Sequence, residues 1–150
     1  MLASLAIDTA SFSGTERLAE AVADQSRLGD AILLEGPLGA GKTVFARALL
    51  RRVANNPALE VPSPTFTLVQ SYELPRMRAH HFDLWRLAGP QALIELGWEE
   101  FLRDLVIVEW PDRLGPQHPR DALTVTFTPL SDSGRRLVLQ GWPGRLERLA

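Results

Sequence analysis

The chain has 150 residues, a formal net charge of −2 and no cysteine. The length is typical of one domain, so we predict a single domain over residues 1–150; the missing cysteines exclude disulfides, thiolate metal sites and a cysteine nucleophile. No apolar run approaches the roughly 18 residues that span a membrane, and the N-terminal segment lacks the basic start of a signal peptide. We therefore expect a cytoplasmic protein with no membrane partner.

The first half of the chain alternates between strand and helix patterns. Leu2–Ile7 predicts a short strand, and the capping-box spacing of Ser13–Glu16 predicts the start of a helix that runs to about Gln25. Ala31–Leu34 is a continuous apolar run, which is typical of a strand buried on both faces of a parallel sheet. Thr43–Ala54 predicts the next helix.

The second half contains shorter elements separated by proline and glycine. The predicted strands are Thr67–Glu73, Met77–Phe82, Leu105–Val108, Leu123–Phe127 and Leu137–Gln140. The predicted helices are Pro90–Leu96, Glu99–Asp104 and Pro143–Leu149. Because strands and helices alternate early, we predict an α/β domain with a mixed, centrally parallel sheet flanked by helices.

Residues 36–43, GPLGAGKT, match the phosphate-loop pattern G-x-x-x-x-G-K-[ST]. The pattern lies between a buried strand and an apolar helix, which is the context that a P-loop requires. The loop backbone would cradle phosphates, Lys42 would reach the β- and γ-phosphates, and the Thr43 hydroxyl would bind Mg²⁺. Lys42 is also the one lysine beside 15 arginines. The sequence thus predicts a small P-loop NTPase domain.

Two acidic residues follow predicted strands. Glu109 comes directly after Leu105–Val108, and Asp83 follows Phe82. Ligands of open α/β sheets bind at the carboxyl ends of strands, where a P-loop protein needs a carboxylate for Mg²⁺ or its water shell. We hypothesise that Glu109 serves the metal or the attacking water and that Asp83 serves the water shell of the metal.

Other segments allow two interpretations each. The proline-stiffened segment Pro62–Thr67 offers a hydroxyl to the γ-phosphate and its metal, or forms an ordinary turn. Trp110 and Trp85 either line a site or a partner surface, or are aromatic residues with a structural role only. His80 and His81 are strand neighbours that face opposite sides of a sheet, which disfavours joint metal binding and favours a structural role.

Four segments carry a resemblance to a known family: GPLGAGKT, SPTFTLV, HFDLWRL and VEWP, in that order. They resemble TsaE, the P-loop ATPase family of bacterial tRNA threonylcarbamoyladenosine biosynthesis. The resemblance covers about residues 5–140. It departs from the family at Trp85, where a tyrosine is more usual.

The resemblance implies a protein that binds and hydrolyses MgATP. It further implies action on a TsaB–TsaD-type heterodimer, which transfers the threonylcarbamoyl group to adenosine 37 of ANN-reading tRNAs, with tRNA contacted indirectly through that complex. By position, the resemblance implies catalytic roles for Lys42, Thr65, Asp83 and Glu109, and metal-binding roles for Thr43, Glu109 and Asp83. The residues implied to contact the nucleotide are Phe12, Leu38, Gly39, Ala40, Gly41, Lys42, Thr43, Thr65, Trp110 and Gly134.

Three other functions fit a P-loop chain of this size. A small-molecule kinase is the main alternative, but it needs an arginine-bearing lid that the sequence does not show after the P-loop helix. A GTP switch is disfavoured, because Lys42 is the single lysine and no Asn-Lys-x-Asp segment can exist. A non-hydrolysing interaction module is disfavoured by the pairing of a complete P-loop with two strand-end acids.

Overall fold

The structure, a computed structural model, describes residues 4–149. The strands are β1 (Ser4–Thr9), β2 (Ala31–Glu35), β3 (Val69–Glu73), β4 (Arg78–Asp83), β5 (Leu105–Glu109), β6 (Leu123–Pro129) and β7 (Arg135–Gln140). The α-helices are α1 (Phe12–Gln25), α2 (Lys42–Ala54), α3 (Pro90–Leu96) and α4 (Trp98–Phe101), and the 3-10 segments are Pro111–Gln117 and Leu146–Leu149. Leu2 and Ala3, where the first strand is predicted to begin, lie outside the described residues.

The seven strands within residues 4–149 form one sheet in the order β1-β7-β6-β2-β5-β4-β3. The four central strands are parallel, since β2 pairs in parallel with β6 and β5, and β5 pairs in parallel with β4. The outer strands β1, β7 and β3 pair antiparallel with their neighbours. The predicted mixed, centrally parallel sheet is confirmed.

Strand β2 shows why the centre of the sheet is so apolar. Its side chains alternate between two cores: Ile32 and Leu34 pack with α1 and α2, whereas Ala31 and Leu33 pack with α3 and Trp98. A parallel strand covered by helices on both faces favours apolar residues at consecutive positions. The apolar run Ala31–Leu34 therefore indicates that β2 is a strand and that it lies in the centre of the sheet.

The predicted start of α1 at Ser13 is wrong. The N-cap is Ser11, which has an extended backbone, and no side chain caps the helix. The Ser11 carbonyl accepts bonds from the N–H groups of Gly14 and Thr15 at 3.1 and 3.3 Å. Backbone groups close the first turn, so the capping-box residues lie inside the helix rather than at its boundary.

Other predicted boundaries also differ, and two of these differences lie at residues with positive φ. The predicted helix Pro143–Leu149 is reduced to the 3-10 segment, because Gly144 has a φ of 87° that no right-handed helix permits. Strand β3 begins two residues late, after Leu68 at a φ of 68°. Helix α4 ends at Phe101 instead of Asp104. Within residues 4–149, no helix is long and apolar enough to cross a membrane.

Candidate functional site

The glycine-rich loop connects the end of β2 to the start of α2. Gly41 caps α2 with a φ of 103°, a backbone conformation that glycine adopts without strain. At Gly36, a Cβ atom would lie 3.0 Å from both the Cβ atom and the carbonyl oxygen of Phe127. The loop can take this path between β2 and β6 because neither glycine carries a side chain. The strand, loop and helix have the arrangement that binds phosphates in P-loop proteins.

Lys42, the first residue of α2, is almost fully buried. Its Nζ atom donates a hydrogen bond to the Gly36 carbonyl oxygen at 2.6 Å and lies 3.3 Å from the centre of the Trp110 ring. Burial lowers the pKa of Lys42, and the nearby carboxylates of Glu109, Asp83 and Asp112 oppose that shift. The ammonium group is thus held at the phosphate loop by a carbonyl and an aromatic face.

Thr43 and Glu109 meet at the end of the loop. The Thr43 Oγ1 atom donates to Glu109 Oε1 at 2.9 Å. Glu109 is the last residue of β5, which is paired with β2 so that Leu34 lies opposite Glu109. Parallel pairing therefore brings this buried carboxylate to the edge of the sheet where the loop begins.

Asp83 lies beside Glu109 on the neighbouring strand. The register of β4 and β5 places the two residues directly opposite each other. Asp83 Oδ2 accepts a hydrogen bond from Thr65 Oγ1 at 3.1 Å, and Asp83 Oδ1 accepts one from the Trp85 N–H at 3.0 Å. Ser63 Oγ is 2.8 Å from Thr65 Oγ1, which links the proline-rich segment to the same carboxylate.

Most of the predicted site residues line one cleft of about 250 Å³. The cleft is lined by Phe12, Leu38, Gly39, Gly41, Lys42, Thr43, Val44, Ser63, Thr65, Asp83, Glu109 and Trp110. Ala40 and Gly134 do not line it: Ala40 is fully buried behind the loop, and the Gly134 N–H bonds Ser131 Oγ at 2.9 Å. A larger groove of about 510 Å³ lies between α1 and α2 and contains none of the predicted site residues.

The structure adds Arg135 to the surroundings of the loop. This buried guanidinium donates to the carbonyl oxygens of Ala40, Gly39, Ser131 and Gly134, at 2.7, 3.1, 2.9 and 2.8 Å. It also lies 5.0 Å from the centre of the Phe12 ring. Arg135 therefore ties the β6–β7 turn to the phosphate loop. The sequence alone does not show which of the neighbours Arg135 and Arg136 turns inward.

The sequence favours a structural role for His81, but the structure brings this residue to the site. It is fully buried, and its Nε2 atom lies 2.7 Å from Glu109 Oε2. Periodicity along β4 predicts that His80 and His81 face opposite sides, and they do, since His80 contacts Ser71 and Asp104 instead. The contact of His81 with Glu109 depends on cross-strand register, which the sequence does not give.

The oxygen atoms at the cleft suit a hard cation. The Thr43 hydroxyl and the Glu109 and Asp83 carboxylates are donors of the kind that Mg²⁺ prefers. Within residues 4–149, no group of three or more His, Cys, Asp or Glu side chains could hold a metal ion by itself. The donor set therefore fits a metal that is shared with the phosphates of a nucleotide, as Mg²⁺ commonly is.

Trp110 and Trp85 form an aromatic wall beside these oxygens. Their ring centres are 4.4 Å apart, and the Trp110 backbone adopts the left-handed conformation with a φ of 60°. Trp110 begins the segment after β5 and directs its ring at Lys42. The substitution of tryptophan at residue 85 thus retains an aromatic contact in this wall.

The sheet order, the glycine-rich loop and the strand-end acids define a small P-loop α/β domain. A sequence model of the family "Threonylcarbamoyl adenosine biosynthesis protein TsaE" matches residues 9–137. The chain belongs to the TsaE family.

Individual relatives agree with this assignment. Proteins named tRNA threonylcarbamoyladenosine biosynthesis protein TsaE are 34% identical over 122 residues in Rickettsia bellii and 38% identical over 99 residues in Rickettsia felis. These matches cover 81% and 65% of this chain; the chain spans 84% of the first relative but only 57% of the second. The crystal structure of Bacillus subtilis YdiB superposes with a TM-score of 0.79 at 25% identity, covering 99% of this chain and 93% of that one.

Proposed function

We propose that the chain binds MgATP in the cleft and hydrolyses it. The observation that carries the proposal is the hydrogen bond from Thr43 to Glu109 at 2.9 Å, directly beside Lys42. A P-loop hydroxyl, a P-loop lysine and a strand-end carboxylate are the groups that phosphoryl transfer uses to hold phosphates and their metal. Their convergence in one cleft supports a catalytic rather than a purely binding role.

Each side chain has a distinct role in this proposal. The N–H groups of the loop and the Lys42 ammonium bind the phosphate oxygens. Thr43 and Glu109 hold Mg²⁺, which when bound neutralises charge that develops on the phosphates. Asp83 and Thr65 orient water at the edge of the cleft, through the 3.1 Å hydrogen bond that they share. Phe12 and Trp110 exclude bulk water from the cleft.

We further propose that the hydrolysis serves tRNA threonylcarbamoyladenosine biosynthesis. Membership of the TsaE family supports that role. The partner would be a TsaB–TsaD-type heterodimer that carries out the transfer to tRNA, with tRNA reached through that complex. Because phosphoryl transfer depends on accurate positioning, a docked partner can complete the site and raise its rate.

The test is phosphate release from MgATP with the TsaB–TsaD-type pair and tRNA added or withheld. We expect release to rise when the partners are present, and Lys42→Ala to abolish that rise. The matched control is Arg78→Ala, which removes a half-exposed cation paired with Glu73, outside the cleft. It should leave the rise intact.

Two results would contradict the proposal. One is stimulated release by a folded Lys42→Ala variant, with folding checked by circular dichroism. The other is ATP binding without any release in the complete mixture. In that second case, transfer of labelled γ-phosphate to a small acceptor would favour the kinase alternative.

A further inference from the structure

The Glu109 carboxylate is held on both of its oxygens. Oε1 accepts the Thr43 hydroxyl at 2.9 Å, and Oε2 lies 2.7 Å from His81 Nε2. His81 is fully buried, and the Glu109 side chain is 4% exposed. One oxygen therefore faces the phosphate loop and the other faces a ring that solvent does not reach.

Strand register explains how His81 reaches this carboxylate. In β4 and β5, His81 is opposite Ile107 and Asp83 is opposite Glu109. Side chains two residues apart share a face of a sheet, so all four lie on the face that packs against α2. His81 thus precedes Asp83 by two residues on the same face of β4. This position is diagonal to Glu109 on the neighbouring strand.

The hydrogen-bond pattern assigns the proton on the imidazole. Within residues 4–149, the His81 Nδ1 atom has no hydrogen-bond partner, whereas Nε2 faces the carboxylate. A carboxylate only accepts, so Nε2 must carry the hydrogen. Leaving Nδ1 without a hydrogen also avoids burying an N–H donor that nothing accepts.

We propose that His81 is a positioning residue that donates Nε2–H to Glu109 Oε2. This bond stops the carboxylate from rotating and keeps Oε1 directed at Thr43 and the cleft. The inference rests on the proposed function, because it makes His81 the support for the carboxylate that would hold Mg²⁺. Partners behind a metal ligand commonly change metal affinity or activity about 10- to 100-fold when they are removed.

Two variants of His81 separate a hydrogen-bonding role from a packing role. His81→Leu fills the space without a donor, whereas His81→Gln places an amide N–H near the position of the imidazole Nε2–H. His80→Leu and His80→Gln are the matched controls, because His80 is buried in the same strand but contacts Asp104 and Ser71 on the other side.

The first readout is the affinity of Mn²⁺ for the protein–ADP complex, measured by electron paramagnetic resonance. The second is kcat and KM for MgATP in the presence of the partner pair. We expect His81→Leu to weaken Mn²⁺ about 10-fold and to lower kcat about 10- to 100-fold, with little change in KM. His81→Gln should recover most of both losses, and the His80 variants should change neither value.

Wild-type metal affinity and kcat in His81→Leu would overturn the inference, and so would equal losses in His81→Gln and His81→Leu. If His81→Leu does not fold, His81→Asn replaces it, since asparagine is polar but too short to reach Glu109. Failure of the proposed function looks different: the wild-type protein would then not hydrolyse ATP, while the Mn²⁺ affinities of the variants would still test His81.

Discussion

The two faces of strand β4 carry similar pairs of side chains. His80 Nε2 lies 2.8 Å from Asp104 on one face, and His81 Nε2 lies 2.7 Å from Glu109 on the other. The first pair is supported by Ser71 on the imidazole Nδ1 atom, 2.7 Å away, and packs edge-on against Phe101. The second pair has Thr43 on its carboxylate instead.

The position of each pair in the sheet separates their roles. Asp104 directly precedes β5 and its side chain is 21% exposed, whereas Glu109 ends β5 and its side chain is 4% exposed. Only the carboxyl end of β5 meets the phosphate loop, since ligands of parallel sheets bind at that edge. The same kind of histidine–carboxylate contact is therefore structural just before β5, at Asp104, and belongs to the site at the end of β5, at Glu109.

Removal of the Glu109 carboxylate should change turnover most, and removal of the Asp104 carboxylate is the matched control. Glu109→Gln should lower partner-stimulated ATP turnover by roughly 100-fold or more, because it removes a charge from the centre of the site. Asp104→Asn should leave turnover unchanged and lower only the thermal stability. Phosphate release and thermal unfolding are measured on both variants, and equal losses of turnover would show that the two carboxylates do not differ in role.

A smaller effect is expected at the hydrogen bond between Thr65 and Asp83. Thr65→Val keeps the shape of the side chain but removes the donor at 3.1 Å, so turnover should fall about 10-fold, or roughly 1.4 kcal/mol in the activation free energy. The decisive measurement is a double-mutant cycle with Asp83→Asn. Fully additive losses would show that the two side chains act separately.

Neighbouring arginines on β7 show the same alternation as the histidines. Arg135 is buried against four backbone carbonyls, whereas Arg136 is half-exposed and pairs with Asp8. Arg135→Met should cost about 2–3 kcal/mol of stability and weaken ATP binding, since it leaves buried acceptors around the loop unpaired.

Arg136→Met is the control for that variant. Its ion pair with Asp8 is open to solvent, so we expect no resolvable change in stability or in ATP affinity. Chemical denaturation and equilibrium binding of a fluorescent ATP analogue test both variants. Similar losses in the two would show that burial does not distinguish the arginines.

The smallest effect concerns pH. Burial lowers the pKa of Lys42 below the usual lysine value, so the Lys42 ammonium loses its proton at a lower pH than a solvent-exposed lysine does. Affinity for ATP should therefore fall in the alkaline range as pH passes through that pKa. The unfolded chain holds this proton more tightly, so the Lys42 contribution to stability rises with pH over the same range.

Calorimetry tests this dependence. Bound phosphates favour the charged ammonium, so ATP binding at alkaline pH should take up protons, and binding heats in two buffers of different ionisation enthalpy would reveal the uptake. Binding without proton uptake, at an affinity that does not change with pH, would contradict the expected role of the Lys42 pKa in ATP binding.

The parts of the fold that follow from local pattern could be predicted from the sequence. The apolar run Ala31–Leu34 and the helix after GPLGAGKT are examples, because burial on both faces and the phosphate loop each leave a clear residue pattern. The start of α1 could not be predicted, since backbone capping leaves no such pattern. The boundary at Gly144 does carry a signal, because Pro-Gly dipeptides mark turns, but the helix predicted over Pro143–Leu149 does not take that signal into account.

The site divides along similar lines. Lys42, Thr43 and Glu109 are marked by the loop and by a strand end, and the structure places them in one cleft. His81 and Arg135 are not marked, because their contacts with Glu109 and with the loop carbonyls depend on register and on which side chain faces inward. Sequence periodicity shows that neighbouring residues of a strand face opposite sides of the sheet. It does not show which residue of the adjacent strand each of them contacts.

A metal–nucleotide complex should bind where the loop meets Glu109, and a crystal grown with ADP and Mn²⁺ is the decisive experiment. Anomalous scattering locates Mn²⁺ without assumptions about its ligands. We expect one strong peak at about 2.0–2.3 Å from Thr43 Oγ1, on the side of Glu109. A peak at Asp104 and His80, or phosphates bound away from residues 36–43, would contradict it.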